Sequence, residues 1–468
     1  MQKNVETELK LLISKRNLKK LLASDLMKQA VRAGSQRQRH LVSSYYDTAD
    51  WALKQHGIAY RVRDKGDDTF EATVKTARHN AGGLSERVEL NLPLAGDAPV
   101  LDGFAELGLG YELSEIAPEG VQKLFTVDVE RTTYLLDFKG AVAELAIDKG
   151  KIIAGRKRSV IEEMEIELKE GELGSLLELA EKIAALVPVF AEKRSKFARG
   201  LALLGQAGDE RISKAQITED GNIRSQVLAI VLQRGDALLA LQNEVKSDGL
   251  NPDNGRELLK NLQYLGSMIS FGSVFAESDK AKRAGEIAAE WAGILERLND
   301  VAELEELWSE IAAAGSADLS KGELLAKAAE VKEDLLDAAK KLAEAGSLTE
   351  AMYTAASWLA NEQWQNEEYL QPESTVRCRL QDWQDELESA DDAAKIALLE
   401  KIVRLGKSVD GKQFAKLLKE AKAARSILKG DMRRGKLQQL TDELNKMGKS
   451  RGLSRDAGIV TGWLLAGK

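Results

Sequence analysis

Cysteine is almost missing from this 468-residue sequence, which contains Cys378 alone. A single cysteine excludes an internal disulfide framework and predicts a reducing, cytoplasmic environment. Histidine is nearly as rare, since only His40, His56 and His79 occur, and so few nitrogen and sulfur ligands argue against a zinc site. A metal ion would therefore have to be held by carboxylates, which favours magnesium, manganese or calcium.

Long apolar runs are also missing, and Met1 leads into polar residues rather than into a signal peptide. We therefore expect no membrane partner. Hydrophobic residues make up 44% of the sequence and charged residues 30%, as in an ordinary globular protein. Because the chain is too long for one hydrophobic core, we expect two or three domains.

The net charge of −8 is distributed unevenly along the chain. The first 205 residues contain 31 basic and 31 acidic side chains, so the negative charge belongs to the remainder. Neither part has the basic excess that is typical of nucleic-acid binding, and we expect no nucleic-acid partner.

The stretch Val5–Leu11 sets the pattern for the first half of the chain. If it is a strand, Glu6, Glu8 and Lys10 share one face and the aliphatic side chains share the other. If it is a helix, Glu6 and Lys10 form an ordinary i,i+4 pair on a solvated face.

Recurrence of the same alternation favours the strand. Charged side chains lie opposite aliphatic ones in six later segments, and one more extended run, His40–Asp47, precedes them. The six segments are Ile58–Arg63, Phe70–Lys75, Ser85–Leu92, Phe125–Asp137, Ala141–Lys149 and Ser159–Lys169. About eight antiparallel strands with few crossovers predict a closed β-barrel whose charged face lines a wide, wet lumen. The alternative is a β-sandwich whose outer faces carry the charge.

Helical periodicity separates some of these strands. We predict helices at Ser14–Ala33, Glu119–Leu124, Leu173–Val187 and Glu192–Leu204, and turns at Lys139–Gly140 and near Gly150.

The period changes after residue 204. Residues 205–221 are predicted to be a linker, and 222–468 an all-helical bundle. Its predicted helices are Ile223–Lys246, Gly255–Phe275, Asp279–Leu298, Leu304–Ala314, Lys321–Ala345, Thr349–Asn361, Ser374–Glu388, Ala393–Leu405, Gly411–Ala424, Lys436–Lys446 and Asp456–Leu465. The predicted fold class is an α+β chain with an N-terminal antiparallel eight-stranded β-barrel domain and an all-α C-terminal domain.

Two sets of side chains on the predicted strands indicate the chemistry. Converging guanidinium and ammonium groups match an oligophosphate, and the candidates are Arg61, Arg63, Lys75, Arg87, Arg131, Lys196 and Arg199. Carboxylates could hold metal ions and orient a water molecule, and the candidates are Glu6, Glu8, Glu144, Asp148, Glu163, Glu165 and Glu167.

The order of these residues resembles the CYTH, or triphosphate tunnel metalloenzyme, superfamily. The opening Glu6-x-Glu8-x-Lys10 is similar to its signature. The other matching elements, in order, are Tyr46-Asp47-Thr48, Arg61-x-Arg63, Lys75, Arg87-x-Glu89, Arg131, Glu144-x-x-x-Asp148, Glu163-x-Glu165-x-Glu167 and Ser195-Lys196-x-x-Arg199-Gly200. The resemblance covers residues 1–204, and the helical remainder, 222–468, resembles the CHAD domain that follows CYTH in many bacterial proteins.

The resemblance implies an inorganic triphosphatase that hydrolyses tripolyphosphate with Mg²⁺ or Mn²⁺ in an eight-stranded tunnel. It implies that phosphate is bound by Lys10, Arg61, Arg63, Lys75, Arg87, Arg131, Lys196 and Arg199. Metal would be bound by Glu6, Glu8, Glu163, Glu165 and Glu167, with Glu89, Glu144 and Asp148 as further candidates in the lumen. Catalytic roles fall on Glu6, Glu8, Glu165 and Lys196.

Alternatives remain at this stage. Relatives in the superfamily include thiamine triphosphatases and adenylate cyclases, and a tunnel could also bind polyphosphate as a scaffold without cutting it. A ring of carboxylates favours the enzyme, because pure anion binding gains nothing from it. The helical half contains no histidine, unlike the domain it resembles, and is net acidic. We therefore expect it to support the barrel or to dock a protein partner.

Overall fold

The computed structural model describes residues 5–192, 194–206, 215–218, 221–313, 323–409 and 415–447. The chain forms two compact units. One contains Met1–Lys214 together with Met352–Asn361, and the other contains Ala215–Ala351 and Glu362–Lys468. No helix among the described residues is both long and apolar enough to cross a membrane.

The first unit is built on one antiparallel sheet with short helices between its strands. The strands are β1 Val5–Leu12, β2 Arg37–Asp47, β3 Ile58–Asp64, β4 Phe70–Ala81, β5 Leu84–Leu94, β6 Gln122–Phe138, β7 Ala141–Ala154, β8 Lys157–Glu170 and β9 Phe190–Ala191. The helices are α1 Lys15–Leu22, α2 Asp25–Ala30, α3 Ala52–Gln55, α4 Leu113–Ile116, α5 Leu173–Leu186 and α6 Lys196–Leu203, with one π-helical turn at Ala105–Leu109.

Strand β1 closes the sheet into a barrel. The strand order is β5-β4-β3-β2-β6-β7-β8-β1, and β1 pairs with β5 as well as with β8. Glu6 lies opposite Arg87 on β5, and Lys10 lies opposite Glu165 on β8. The short β9 pairs only with the end of β1. The prediction of a closed eight-stranded antiparallel barrel is confirmed, and the sandwich alternative is wrong.

Aliphatic side chains on the outer face of β3, β4 and β5 pack under a small apolar layer. Tyr60, Val74 and Leu90 form one buried cluster with Phe104 and Leu113. Because this layer covers the aliphatic face, the charged face of the same strands is left to line the barrel interior.

Helix α6 fills one end of the barrel. Ser195 caps its N-terminus by accepting a hydrogen bond from the Ala198 amide. The Phe197 ring stacks on Tyr45 with 5.6 Å between ring centroids. Gly200 lies so close to Phe125 that a Cβ atom there would be 2.2 Å from its ring. Apolar packing therefore closes this end of the barrel. Helix α6 fits there only because position 200 is glycine, since a side chain at that position would clash with Phe125.

Several local predictions need correction. The single helix predicted over Ser14–Ala33 is two helices, because Ser24 accepts a hydrogen bond from the Met27 amide and starts a second helix. The helix predicted at Glu119–Leu124 is wrong, since β6 already begins at Gln122. The helix predicted from Glu192 begins only at Lys196, after its Ser195 cap.

The turn predicted near Gly150 is also wrong. Strand β7 continues through Gly150 to Ala154, and the turn comes at Gly155, where φ is +60°. Glycine is needed at position 150 for a different reason: a Cβ atom there would lie 2.0 Å from the Asp128 carbonyl oxygen. The close approach of two strands explains this residue.

The second unit is helical. Its helices are α7 Ile223–Asp248, α8 Pro252–Gly272, α9 Asp279–Ala313, α10 Glu323–Glu344, α11 Ser347–Asn361 (whose last residues belong to the first unit), α12 Pro372–Glu386, α13 Asp392–Lys407 and α14 Ala415–Met447. Helix α9 joins two predicted helices and α14 joins two more, while the helix predicted at Asp456–Leu465 lies outside the described residues. Trp291 and Trp383 are fully buried core residues.

Candidate active site

The barrel encloses a cavity of about 660 Å³. Antiparallel pairing places the starts of β1 and β2 and the ends of β3 and β8 at the end opposite α6. We call this end the mouth. Among the described residues, eleven basic and seven acidic side chains line the cavity, an excess of four positive charges. The basic ones are Lys10, Arg37, Arg39, Arg61, Arg63, Lys65, Lys75, Arg87, Arg131, Lys169 and Lys196, and the acidic ones are Glu6, Glu8, Glu71, Glu89, Glu144, Glu165 and Glu167.

Most of the charges predicted from the sequence meet inside this cavity. Lys75 bridges two carboxylates: its Nζ lies 2.6 Å from Glu89 Oε2 and also contacts Glu6. Arg61 approaches the same Glu89 at 3.7 Å. On β1, Lys10 Nζ lies 2.6 Å from Glu8 Oε1. Without a ligand, the lumen therefore neutralises much of its own charge.

Glu6 carries a negative charge that its surroundings tolerate poorly. Burial raises the pKa of Glu6 to about 7; Lys75 opposes this rise, and the neighbouring Glu8 and Glu89 carboxylates add to it. Two carboxylates share one lysine here, so a proton on Glu6 relieves the excess negative charge.

This pKa predicts that the contribution of Glu6 to the stability of the metal-free protein falls as the pH rises. Between about pH 4.5 and pH 7 the folded state holds a proton on Glu6 that the unfolded state has released, so the Glu6 contribution to the free energy of unfolding falls with rising pH. In EDTA, Glu6→Gln should therefore stabilise the protein at pH 8 and change little at pH 5. Urea unfolding at both pH values measures this. The exposed Glu162→Gln serves as control, and a Glu6→Gln gain that is equal at both pH values would contradict the assignment.

A second group of charges lies deeper, around Lys196 on α6. Lys196 Nζ is 2.8 Å from both Asp148 and Glu165 and also contacts Glu163. Burial opposes the charged form, but these three carboxylates hold the pKa of Lys196 above its ordinary value. Lys196 is therefore a permanent cation in this site.

Arg131 and Arg199 complete the deep group. Arg131 donates two hydrogen bonds to Asp148, of 2.7 and 2.6 Å, and a third to Glu165 at 2.6 Å. Arg199 donates to Glu163 at 2.7 Å and to the Val160 carbonyl at 2.5 Å. The cavity lining includes Glu165, Arg131 and Lys196, whereas Asp148, Glu163 and Arg199 lie behind it.

Carboxylate oxygens of Asp148, Glu163 and Glu165 all lie within 4.8 Å of one another. Their oxygen-only chemistry fits Mg²⁺ or Mn²⁺. Lys196 already lies among them, so a cation joining this group must share or displace that ammonium. Glu6, Glu8, Glu144 and Glu167 are the other carboxylates from the predicted set, and all four line the cavity.

The partly buried Arg63 and the buried Arg87 differ from the cations described so far. Arg63 donates to the Ser43 hydroxyl at 2.9 Å, and Arg87 donates to the Ser85 hydroxyl at 2.8 Å. Within the part of the chain that is described, neither has a carboxylate within 4 Å. Burial lowers the pKa of Arg63 to about 10, helped by Arg61 and Arg131. Surplus positive potential of this kind favours a bound anion.

Sequence reasoning missed several lining residues. Arg37 and Arg39 were overlooked because the predicted extended run began at His40, although their two-residue spacing continues the inward face of β2. Tyr45 lies on the same inward face. The hydroxyls of Ser43 and Ser85 hold the two arginines, a role that only the tertiary structure assigns.

Comparisons with known proteins agree with this geometry. The model of the CYTH domain family matches residues 4–201. Over 163 residues the chain is 32% identical to the inorganic triphosphatase of Haemophilus influenzae, which covers 35% of this chain and 46% of that protein. The match thus spans about half of that curated relative. The CHAD resemblance of 222–468 stays a prediction.

Solved structures of low identity also match. A candidate adenylyl cyclase from Hippeastrum with a dominant triphosphatase activity is 18% identical, covering 42% of this chain and 95% of its own, with a TM-score of 0.29. A protein from Pyrococcus horikoshii OT3 is 20% identical, covering 43% and 99%, with a TM-score of 0.27.

Proposed function

Starting from the CYTH domain at residues 4–201, we propose that this protein hydrolyses inorganic tripolyphosphate to pyrophosphate and phosphate with the help of a divalent metal ion. The observation that carries the proposal is the composition of the cavity: four surplus positive charges, including the partly buried Arg63 and the buried Arg87, which have no carboxylate contact among the described residues, beside a row of carboxylates. A binding site for a simple anion has no need of that row.

The cations divide into two groups by their state without ligand. Arg63 and Arg87 can donate to phosphate oxygens directly, because among the described residues they donate to serine hydroxyls and form no ion pair with a carboxylate. Arg131, Lys75 and Lys196 must exchange a carboxylate contact for a phosphate contact. Substrate binding is then coupled to release of Glu6, Glu89 and Glu165 from their present partners. The carboxylate oxygens that are released become available to bind a metal ion or a water molecule.

Released carboxylates are suited to hold a metal ion and to orient water. Glu8 on β1 lies directly opposite Glu167 on β8, Glu165 lies opposite Lys10, and Glu6 lies two residues from Glu8 on the same face. A bound Mg²⁺ or Mn²⁺ would neutralise phosphate charge and favour attack at a terminal phosphorus. Lys196 is protonated, so we assign it a charge-stabilising contact to the phosphate being transferred rather than a role as base.

A phosphate-release assay tests this proposal directly. We expect release from tripolyphosphate in Mg²⁺ or Mn²⁺, and loss of that release in excess EDTA, because cleavage beside the carboxylates needs a metal ion to neutralise charge on the phosphate being transferred. ATP, thiamine triphosphate and pyrophosphate serve as competing substrates.

Two outcomes would contradict the proposal. Full phosphate release in excess chelator would remove the metal from the mechanism. Tight binding of tripolyphosphate with no hydrolysis in either metal would instead identify the barrel as a polyphosphate-binding scaffold. Faster turnover of thiamine triphosphate or ATP would keep the hydrolase and change its substrate.

A further inference from the structure

Two arginines at the cavity mouth are not among the residues that the proposed function assigns to phosphate binding. Arg37 and Arg39 lie at the start of β2, both are exposed, and both line the cavity. Arg37 donates through one nitrogen to the carbonyl oxygens of Gly34 and Gln36, at 2.7 and 2.8 Å. Among the described residues, neither arginine has a carboxylate within 4 Å.

Register connects these arginines to the deeper cations. Arg39 lies directly opposite Arg131, and Arg37 lies directly opposite Thr133, on the neighbouring strand β6. Side chains two residues apart on one strand are about 6.7 Å apart on the same face. Arg39 therefore lies beside Arg131 on the adjacent strand, and Arg37 extends this positive charge by one step towards the mouth.

Other basic residues near the mouth are already neutralised. Lys65 Nζ lies 2.8 Å from Glu71, and Lys169 Nζ lies 2.7 Å from Glu167. Asp67 interacts electrostatically with Arg39, but no ion pair within 4 Å joins them. An anion that reaches the mouth would thus meet Arg37 and Arg39 without first breaking a carboxylate contact. The proposed function assigns these two cations no contact with a ligand of three phosphates that is held deeper in the barrel.

We propose that Arg37 and Arg39 form an outer phosphate subsite, through which the cavity accepts linear polyphosphates of four or more phosphates. The inference rests on the proposed function, since it assumes that three phosphates are held at Arg61, Arg63 and Arg87. The fourth phosphate then lies near Arg39, and the rest of the chain leaves through the mouth past Arg37.

The lining residues favour a longer phosphate chain over a nucleoside at this position. Its aromatic members, Tyr45 and Phe197, both lie at the end closed by α6. Residues around the mouth, such as Thr133, Lys65 and Glu71, are polar or charged. A nucleobase would find no ring to stack on there, whereas a phosphate finds two guanidinium groups.

Calorimetry on the full-length, metal-free protein tests the subsite. Dissociation constants are measured for tripolyphosphate, linear tetrapolyphosphate and ATP. The double variant Arg37→Ala/Arg39→Ala should weaken tetrapolyphosphate binding about tenfold more than tripolyphosphate binding, because only the longer chain reaches these side chains. Arg156→Ala/Arg158→Ala removes the same charge from exposed positions at the closed end and should leave the ratio unchanged.

Three results would overturn the inference. Equal losses for both chains that vanish at high salt would show general attraction of anions to the mouth. An unchanged ratio would show that the fourth phosphate lies elsewhere, and a selective loss for ATP would assign the arginines to a nucleotide. Turnover separates this inference from the proposed function: if both chains bind with the expected ratio and neither is cleaved, the subsite stands and the hydrolase fails.

Discussion

Glu165→Gln is expected to lower tripolyphosphate turnover about 10²–10³-fold in Mg²⁺ and in Mn²⁺, because it removes a charge from the carboxylate row while keeping the side-chain size. Glu165 lines the cavity and contacts Lys196 at 2.8 Å and Arg131 at 2.6 Å. In the metal-free protein this carboxylate competes with phosphate for both cations. Metal-free affinity for tripolyphosphate should therefore be at least as high in the variant.

The matched control is Glu162→Gln, on the same strand. Glu162 is exposed, and its carboxylate lies 3.2 Å from Lys15 at the surface. The same chemical change at this outward position should leave phosphate release and calorimetric affinity as in the wild type. Normal turnover of Glu165→Gln in both metals would show that the carboxylate row is only part of the barrel wall. Loss of metal-free binding would show that Glu165 supports tripolyphosphate binding instead of opposing it.

Lys196→Met is expected to abolish measurable turnover and to lower the free energy of unfolding by about 3–5 kcal/mol. Asp148, Glu163 and Glu165 would then share two arginines in a buried site where three cations now compensate them. The loss of stability should shrink as the pH falls through the range in which Asp148 and Glu165 take up protons, because a neutral carboxyl group does not need a counterion. Urea unfolding at several pH values measures this.

A double variant separates the charge effect from loss of packing. Adding Glu163→Gln to Lys196→Met removes one of the uncompensated carboxylates and should restore part of the stability, but not the turnover. Lys149→Met, an exposed position on β7, is the control for loss of a surface lysine. If the double variant is no more stable than Lys196→Met, packing of α6 rather than charge compensation explains the loss.

Much of the fold could be predicted because strand periodicity is local. The alternation at Glu6, Glu8 and Lys10 is enough to decide which side chains share a face, and the same holds for Arg61 with Arg63. Glycine was harder to interpret from the sequence. Gly150 looks like a turn residue, yet it lies inside β7 because the Asp128 carbonyl leaves no room for a side chain.

The residues that line the cavity were predicted less completely, because the depth of a side chain in the barrel depends on residues far away in the sequence. Asp148, Glu163 and Arg199 have the right residue types and the right spacing, but in the structure they lie behind the cavity wall and pair with one another or with Lys196. Depth inside a barrel depends on strand tilt and on where α6 inserts. Neither quantity is encoded in the alternation of one strand.

By itself, the sequence determined the alternating charged strands and the change to helical periodicity after residue 204, because each depends on neighbouring residues. The prediction that carboxylates would hold any metal ion follows from composition alone. Tertiary structure alone decided that β1 closes the sheet in a register that places the Glu6 backbone opposite that of Arg87, and that α6 fills one end. It also decided that the side chains of Arg63 and Arg87 have no carboxylate partner among the described residues. These features need contacts between residues far apart in the chain. Local patterns cannot specify them, since strand register, burial and charge pairing are settled only when the barrel closes.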